Sequence, residues 1–293
     1  MALGKQRLET PEPVTGECAP LHTHQVVYDL LRSRVKMGCV LDVPCGSGVF
    51  SRRLLDSNLY RVAALDLERH PAVPNVDFRA GDMNDRLPFP NNCFDAVVSI
   101  EGVEHLQQPF SFVRECNRVL RPGGLLIVTT PNISSLRSRW RWFLTGFHSK
   151  CILPLDEQNP LPRHHIRMLS FPELRYMLHT SGFRIERIST NRSKPINWLY
   201  GTLLPLQFSF SLLALRHAAK NEEHRQQIVE TLRQMMSVPV LFGESMIIVA
   251  TEVMKSATVR QTCKAPLARQ PDLGDVLWGE PSCQIRCPAA HRR

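Results

Sequence analysis

The sequence has 293 residues and a formal charge of +9, and 43% of its residues are apolar. This length and apolar content suffice for one domain of typical size, with additions and a real core. The positive charge indicates an anionic partner, such as nucleic acid or an acidic membrane surface, or simply a basic protein. The nine cysteines lack the paired spacing of a zinc site and favour reduced thiols in the cytoplasm. No apolar stretch is long enough to span a bilayer.

The N-terminal half predicts an alternation of strands and helices. Residues 1–20 lack the apolar segment of a signal peptide and are predicted to be a flexible leader. An entry helix is predicted over His22–Lys36, where apolar residues recur at helical spacing. The predicted strands that follow are Cys39–Val43, Arg61–Leu65, Val76–Phe78, Ala96–Ser99 and Leu125–Thr129, and two predicted helices are Val49–Asp56 and Phe110–Leu120. This alternation predicts an α/β fold with a doubly wound parallel sheet.

The C-terminal half adds two strands and two insertions. Ser170 and Glu173 form a predicted capping box for a helix that ends near Gly182. Strands are predicted at Phe183–Ser189 and Met246–Thr251. We therefore predict a domain over residues 21–254, with insertions at about 133–168 and 190–241 and a disordered tail over 255–293.

A glycine-containing turn, Cys45–Gly48, lies between the first strand and the helix after it. Such a turn at the carboxyl end of a parallel strand is where open α/β sheets bind cofactors that contain a nucleoside. The second strand ends in Asp66, an acidic residue that can accept hydrogen bonds from both ribose hydroxyls. Ser51 replaces the third glycine of the dinucleotide fingerprint, which disfavours a dinucleotide, and the P-loop pattern is absent. A turn that binds nothing is the alternative.

Four motifs in register carry a family resemblance: Val40–Phe50, Ala80–Met83, Leu87–Ser99 and Val119–Asn132. In this order and spacing they closely resemble the class I S-adenosylmethionine-dependent methyltransferases, best over Val40–Phe183. The resemblance implies a mostly parallel seven-stranded sheet with an antiparallel last strand, and S-adenosylmethionine as the cofactor.

The resemblance also implies which residues bind the cofactor. The glycine turn is expected beneath the methionine part, Asp66 on the ribose and Asp82 beside the adenine. The expected set comprises Asp42, Gly46, Gly48, Asp66, Asp82, Met83 and Ile100. Pro44 departs from the family because it replaces the usual first glycine and removes an N–H donor. Cofactor affinity would suffer if that amide were needed.

Glu101, Glu104 and His105 follow the fourth strand, where they could reach the methyl group. Their Glu-x-x-Glu-His spacing is similar to that of ubiquinone-pathway O-methyltransferases, which implies a divalent cation bound by these three residues. The alternatives are that His105 acts as a base, with Glu104 beside it, or that the run is structural. His165 is a second candidate base, and a surface histidine is its alternative.

Two aromatic segments, Leu136–Lys150 and Trp198–Leu215, predict a lid or a peripheral membrane contact; an ordinary helical cap is the alternative. Interleaved Arg and Trp in the first segment also suit stacked nucleobases. The sequence therefore predicts a cytoplasmic methyltransferase, peripheral to a membrane if these segments dock, that methylates a small or lipid-linked acceptor, with oxygen the first candidate. The alternatives are an RNA or protein methyltransferase and a methyltransferase-fold module that binds without catalysis.

Overall fold

A computed structural model describes residues 19–20, 22–70, 76–149, 155–159, 161–162, 164–215 and 218–253. The predicted tail over 255–293 and most of the predicted leader lie outside these residues. None of the described helices is both long and apolar enough to cross a lipid bilayer.

The described residues contain one sheet of seven strands. The strands are β1 (Gly38–Asp42), β2 (Tyr60–Asp66), β3 (Asp77–Ala80), β4 (Phe94–Ser99), β5 (Leu120–Pro131), β6 (Phe183–Thr190) and β7 (Ser245–Glu252). Each predicted strand has a counterpart here, and most are longer by a residue or two at one end or both. The largest difference is β5, which begins at Leu120 and not after the Arg121–Gly124 turn. Leu120 pairs with Phe94, and the residue before Pro122 is biased toward extended backbone.

Helices cover both faces of the sheet and fill the connection between its last two strands. They are α1 (Thr23–Arg34), α2 (Val49–Asp56), α3 (Pro109–Val119), α4 (Leu136–Thr145), α5 (Phe171–Thr180), α6 (Pro195–Leu199), α7 (Leu204–Leu215), α8 (Glu222–Met235) and α9 (Val238–Phe242). Short 3₁₀ turns cover Val103–His105 and Tyr200–Leu203. The predicted capping box is present at the start of α5. Helices α6 to α9 occupy the connection between β6 and β7.

The strand order is β3-β2-β1-β4-β5-β7-β6, with β7 antiparallel to both of its neighbours and the other pairs parallel. This confirms the predicted doubly wound, mostly parallel sheet. The chain runs outward from β1 to β3 and then returns to place β4 on the other side of β1. Such a reversal opens a crevice at the carboxyl ends of the strands, where α/β proteins bind ligands.

The core consists of one apolar layer on each face of the sheet. Side chains alternate between faces along a strand, so Val40 and Leu41 point in opposite directions. Val40, Ala96 and Ile127 belong to a cluster with α1 and α2. Leu41 and its counterparts on β4 and β5 pack with α3 and α5 on the other face. Because the central strands are buried on both faces, they form a rigid base for the loops at their carboxyl ends.

Candidate active site

A cavity of about 730 Å³ lies at the carboxyl ends of β1, β2 and β4, at the point where the strand order reverses. A volume of this size is typical of a ligand site. Six of the seven residues predicted to bind the cofactor line it: Asp42, Gly46, Asp66, Asp82, Met83 and Ile100. The seventh, Gly48, is buried and caps the N-terminus of α2. His105 and His165, both predicted for catalysis, line the same cavity.

The turn between β1 and α2 depends on the conformational freedom of glycine. Gly46 and Gly48 have φ values of 52° and 77°, in the left-handed region that side chains disfavour. The amide of Gly48 donates to the carbonyl of Cys45 at 2.8 Å and closes the turn. A Cβ atom built on Gly46 would meet nothing within 4 Å, so at this position the backbone itself faces the cavity.

The carboxylate of Asp66 is held in place by backbone amides from both of its sides. Its Oδ2 accepts from the amide of Gly46 at 2.7 Å, and its Oδ1 accepts from the amide of Leu67 at 2.8 Å. Each carboxylate oxygen can accept a further hydrogen bond. The side chain is therefore fixed at the cavity wall with acceptor capacity for two hydroxyl groups.

Asp42 is buried behind this turn, and the pKa of its carboxyl group is raised. Its Oδ2 accepts from the hydroxyl of Ser51 at 2.6 Å. Burial, assisted by the Asp66 carboxylate and opposed by the Ser51 hydrogen bond, raises the pKa of Asp42 from 3.8 to about 7. Burial and the same two carboxylates raise the pKa of the Cys45 thiol to about 12. Cys45 is therefore a neutral thiol at neutral pH and not an activated nucleophile.

A second turn, after β3, brings Asp82 and Met83 to the cavity. Asp82 accepts hydrogen bonds from the backbone amide and the side chain of Asn84, at 2.8 and 3.0 Å. The side-chain oxygen of Asn84 in turn accepts from the amides of Gln107 and Gln108. Asn84 thus joins the turn after β3 to the loop after β4. The sequence analysis did not single out Asn84. The signal that could have indicated it is its position two residues after Asp82.

The loop after β4 has strained backbone and close packing. Glu101 has a φ of 49°, which is rare for a residue other than glycine. Its amide donates to the Thr129 hydroxyl at 2.9 Å, and that hydroxyl donates to the Glu101 carboxylate at 3.0 Å. A Cβ atom on Gly102 would come within 2.4 Å of Cδ of Pro44. Pro44, the residue that departs from the family pattern, thus packs directly against the loop that carries Glu101.

Glu104, His105 and His165 lie together. Each offers one ligand atom, and these three atoms are all within 4.8 Å of one another. Glu104 is fully buried, and the two imidazole rings meet edge to face with centroids 4.8 Å apart. Of the predicted cation ligands, Glu104 and His105 belong to this group. Glu101 is hydrogen-bonded to Thr129 instead, and His165 supplies the third atom.

Two hydrogen bonds to backbone carbonyls hold the distant histidine loop against the loop after β4. Nδ1 of His105 is 3.0 Å from the carbonyl oxygen of His164, and the amide of Arg167 donates to the carbonyl of Glu104 at 3.0 Å. A carbonyl oxygen only accepts, so this contact requires the proton on Nδ1 of His105. In the neutral ring, Nε2 is then a proton acceptor or a metal ligand.

Comparison with known proteins identifies the family to which the chain belongs. The family model for a methyltransferase domain matches residues 41–128. A ubiquinone biosynthesis O-methyltransferase of Xanthomonas oryzae pv. oryzae is 32% identical over 190 residues, which are 59% of this chain and 75% of that protein. The chain therefore belongs to the class I S-adenosylmethionine-dependent methyltransferases, a family of enzymes whose cofactor is S-adenosylmethionine. The family assignment made from the motifs is confirmed.

Other relatives match a smaller share of their own length. A protein of Mycolicibacterium smegmatis, described as a probable S-adenosylmethionine-dependent methyltransferase, is 34% identical over 169 residues, or 56% of this chain and 58% of that protein. A similarly described protein of Mycobacterium tuberculosis is 31% identical over 55% of this chain and 54% of that protein. The chain thus spans little more than half the length of these two relatives. A crystal structure of an S-adenosylmethionine-dependent methyltransferase from Archaeoglobus fulgidus is 19% identical, with a TM-score of 0.46 over 78% of this chain and 95% of that one.

Proposed function

We propose that this protein transfers a methyl group from S-adenosylmethionine to a small or lipid-linked acceptor, with oxygen as the accepting atom. The observation that carries the proposal is the shared cavity. It is lined both by Asp66 and the glycine turn and by the contacting pair His105 and His165. Methyl transfer needs a cofactor site and a proton acceptor within reach of one another. We assign this activity to a domain of residues 21–254.

The cofactor-binding half follows from the chemistry of the residues present. Asp66 would accept hydrogen bonds from the ribose hydroxyls while its amide contacts hold it in place. The open space over Gly46 would let the methionine part approach the backbone. Met83, which is 7% exposed, supplies an apolar surface for the adenine ring. When bound, the cofactor supplies an activated methyl group on a sulfonium, so much of the remaining task is to position the acceptor.

The acceptor half of the proposal assigns proton transfer to the histidine pair. A hydroxyl must lose its proton as it attacks the methyl group, and an imidazole nitrogen without a proton can accept it. His105 meets this need because its contact with the carbonyl of His164 leaves Nε2 as an acceptor. His165 comes from a separate loop, contacts the same ring and lines the same cavity, so both imidazoles face one region of it. Glu104 lies behind them and would stabilise a protonated ring.

A divalent cation is the competing use of the same residues. One carboxylate and two imidazoles are ligand types that divalent transition metals accept. Their three ligand atoms all lie within 4.8 Å of one another. A cation held by Glu104, His105 and His165 would act as a Lewis acid that lowers the pKa of the acceptor hydroxyl. We give proton transfer precedence because Glu101, one of the three ligands that the Glu-x-x-Glu-His pattern implies, is hydrogen-bonded to Thr129 instead.

The experiment that tests the function uses purified protein, S-adenosylmethionine with a labelled methyl group, and a fractionated cell extract. We expect label to appear in small molecules or lipids. Asp66→Ala is the matched control, since it should lose transfer while the extract is unchanged. Label in RNA or protein would instead favour the alternative acceptor classes. Cofactor binding measured by calorimetry without any transfer would favour a non-catalytic module and contradict the proposal.

A further inference from the structure

The connection between β6 and β7 contains a helix that is apolar on all sides yet exposed. Residues 195–215, which cover α6, the following 3₁₀ turn and α7, contain no Asp, Glu, Lys or Arg. On α7, Leu206, Phe210 and Leu213 are each about 60% exposed, and their spacing places them on one side of the helix. A helix that is apolar all round is normally buried in protein or lipid. The 12 residues of α7 are too few to cross a bilayer.

Helix α4 extends this apolar surface and adds positive charge. Trp142, Phe143 and Leu144 are 53%, 72% and 62% exposed. Arg141 lies between the two tryptophans of this helix and Arg137 lies one turn before it, and neither forms an ion pair with a carboxylate in the described part of the chain. Aromatic residues interleaved with arginine are typical of segments that lie in the interface of an anionic membrane.

The two segments are neighbours in space. Leu136 of α4 packs with Tyr200 and Leu204 around Leu241 and Phe242, so the inner sides of α4 and α7 share one small cluster. The ring of Trp198 stacks on Phe242 with centroids 4.3 Å apart. The three helices thus meet at one cluster, and we call their exposed apolar residues the apolar face: Trp142, Phe143, Leu144, Trp198, Leu206 and Phe210. A short segment joins α4 to the cavity, since the helix begins five residues after Pro131, which lines the cavity wall.

We propose that the apolar face docks on the surface of an anionic lipid bilayer, with α4, α6 and α7 lying in the interface. Charge complementarity favours this partner. A second copy of the chain would bring the same face against itself, and residues 136–145 and 195–215 contain arginine but no Asp or Glu that could pair with it. Anionic headgroups neutralise the same arginines, while the apolar side chains enter the acyl boundary. Docking would present the cavity to a lipid-linked acceptor, and it does not depend on the methyl-transfer proposal.

Flotation of the full-length protein with vesicles tests the docking. Wild type is expected to float with vesicles of phosphatidylcholine and phosphatidylglycerol at low salt, and less well when salt is raised or phosphatidylglycerol is omitted. The double variant Phe143→Ala, Phe210→Ala removes an exposed ring from each of the two helices and should lower the partition coefficient at least about tenfold. Met37→Ala is the matched control, because Met37 is also 72% exposed but lies between α1 and β1. It should float like wild type.

Three results would overturn the proposal. The first is wild type that stays at the bottom of the gradient with anionic vesicles at low salt. The second is a double variant that floats as well as wild type. The third is a wild type that does not bind vesicles but forms a concentration-dependent dimer in sedimentation velocity, when the double variant remains a monomer. Calorimetry with S-adenosylmethionine on the same samples should give wild-type affinity for all variants, which separates a failure of docking from a failure of cofactor binding.

Discussion

The buried carboxyl of Asp42 should make the stability of this protein fall as pH rises. Burial, with a smaller contribution from Asp66, raises the pKa of Asp42 from 3.8 to about 7. Between these values the folded protein binds more protons than the unfolded chain, so the free energy of unfolding decreases with increasing pH. The interval from 3.8 to about 7 is about 3 pH units, and at about 1.36 kcal/mol per unit it corresponds to about 4 kcal/mol. The penalty is absent below the unfolded pKa and fully present above pH 7.

Asp42→Asn isolates this contribution, because the amide cannot ionise and its oxygen can still accept from Ser51. The free energy of unfolding of each protein would be measured by denaturant titration at several pH values from 4 to 8. The variant minus wild-type difference should rise by about 4 kcal/mol across that range. Asp56→Asn, at an exposed position at the end of α2, is the matched control and should show a much smaller change. If the difference in unfolding free energy between Asp42→Asn and wild type were the same at all pH values, the pKa of Asp42 would not be raised by folding.

Three further variants test the site. Asp66→Ala removes an acceptor of two charge-assisted hydrogen bonds worth about 1.5–3 kcal/mol each. Calorimetry should therefore show at least a tenfold loss of S-adenosylmethionine affinity with the fold intact. Unchanged affinity would mean that the ribose binds elsewhere. His105→Ala should lower transfer by about 10²-fold or more, while wild-type activity survives EDTA. Activity abolished by EDTA and restored by magnesium would assign the cluster to a cation instead. Gly102→Ala places a Cβ atom 2.4 Å from Pro44, so it should lower the free energy of unfolding by about 1–3 kcal/mol. Gly201→Ala is the control, because its Cβ atom would lie 3.7 Å from Phe242 and should leave the free energy of unfolding nearly unchanged. Equal stability of the two glycine variants would show that the loop after β4 shifts freely.

The sheet, and the gathering of the proposed cofactor-binding residues at one cavity, could be predicted because their signals are local. The apolar run of β1, the glycines after it and Asp66 at the end of β2 lie within about 30 residues, and each occupies the carboxyl end of a strand. Parallel strands place those ends at one edge of the sheet, so their order along the chain was enough to bring these residues together. Asp42 and Asp66 line the same cavity for this reason.

The acceptor end could not be predicted in the same way, because it depends on a contact between distant loops. Helical spacing placed Glu101, Glu104 and His105 on one side of a turn, but Glu101 adopts a left-handed backbone and turns to Thr129. His165 lies 60 residues after His105, and the two loops are joined by hydrogen bonds to the backbone carbonyls of His164 and Glu104. A pattern of residue types along the chain does not encode such contacts. The Arg and Trp alternation of α4 was equally ambiguous, since periodicity does not tell a lid from an exposed face.

We propose that one cavity holds the cofactor on Asp66 and presents its reactive end to the histidine pair. A crystal structure with bound S-adenosylhomocysteine, the product that methyl transfer leaves, tests this most directly. We predict both ribose hydroxyls within hydrogen-bond distance of the Asp66 carboxylate, the adenine against Met83, and the sulfur facing His105 and His165. A ligand bound outside this cavity, or one whose sulfur faces away from both histidines, would contradict the account.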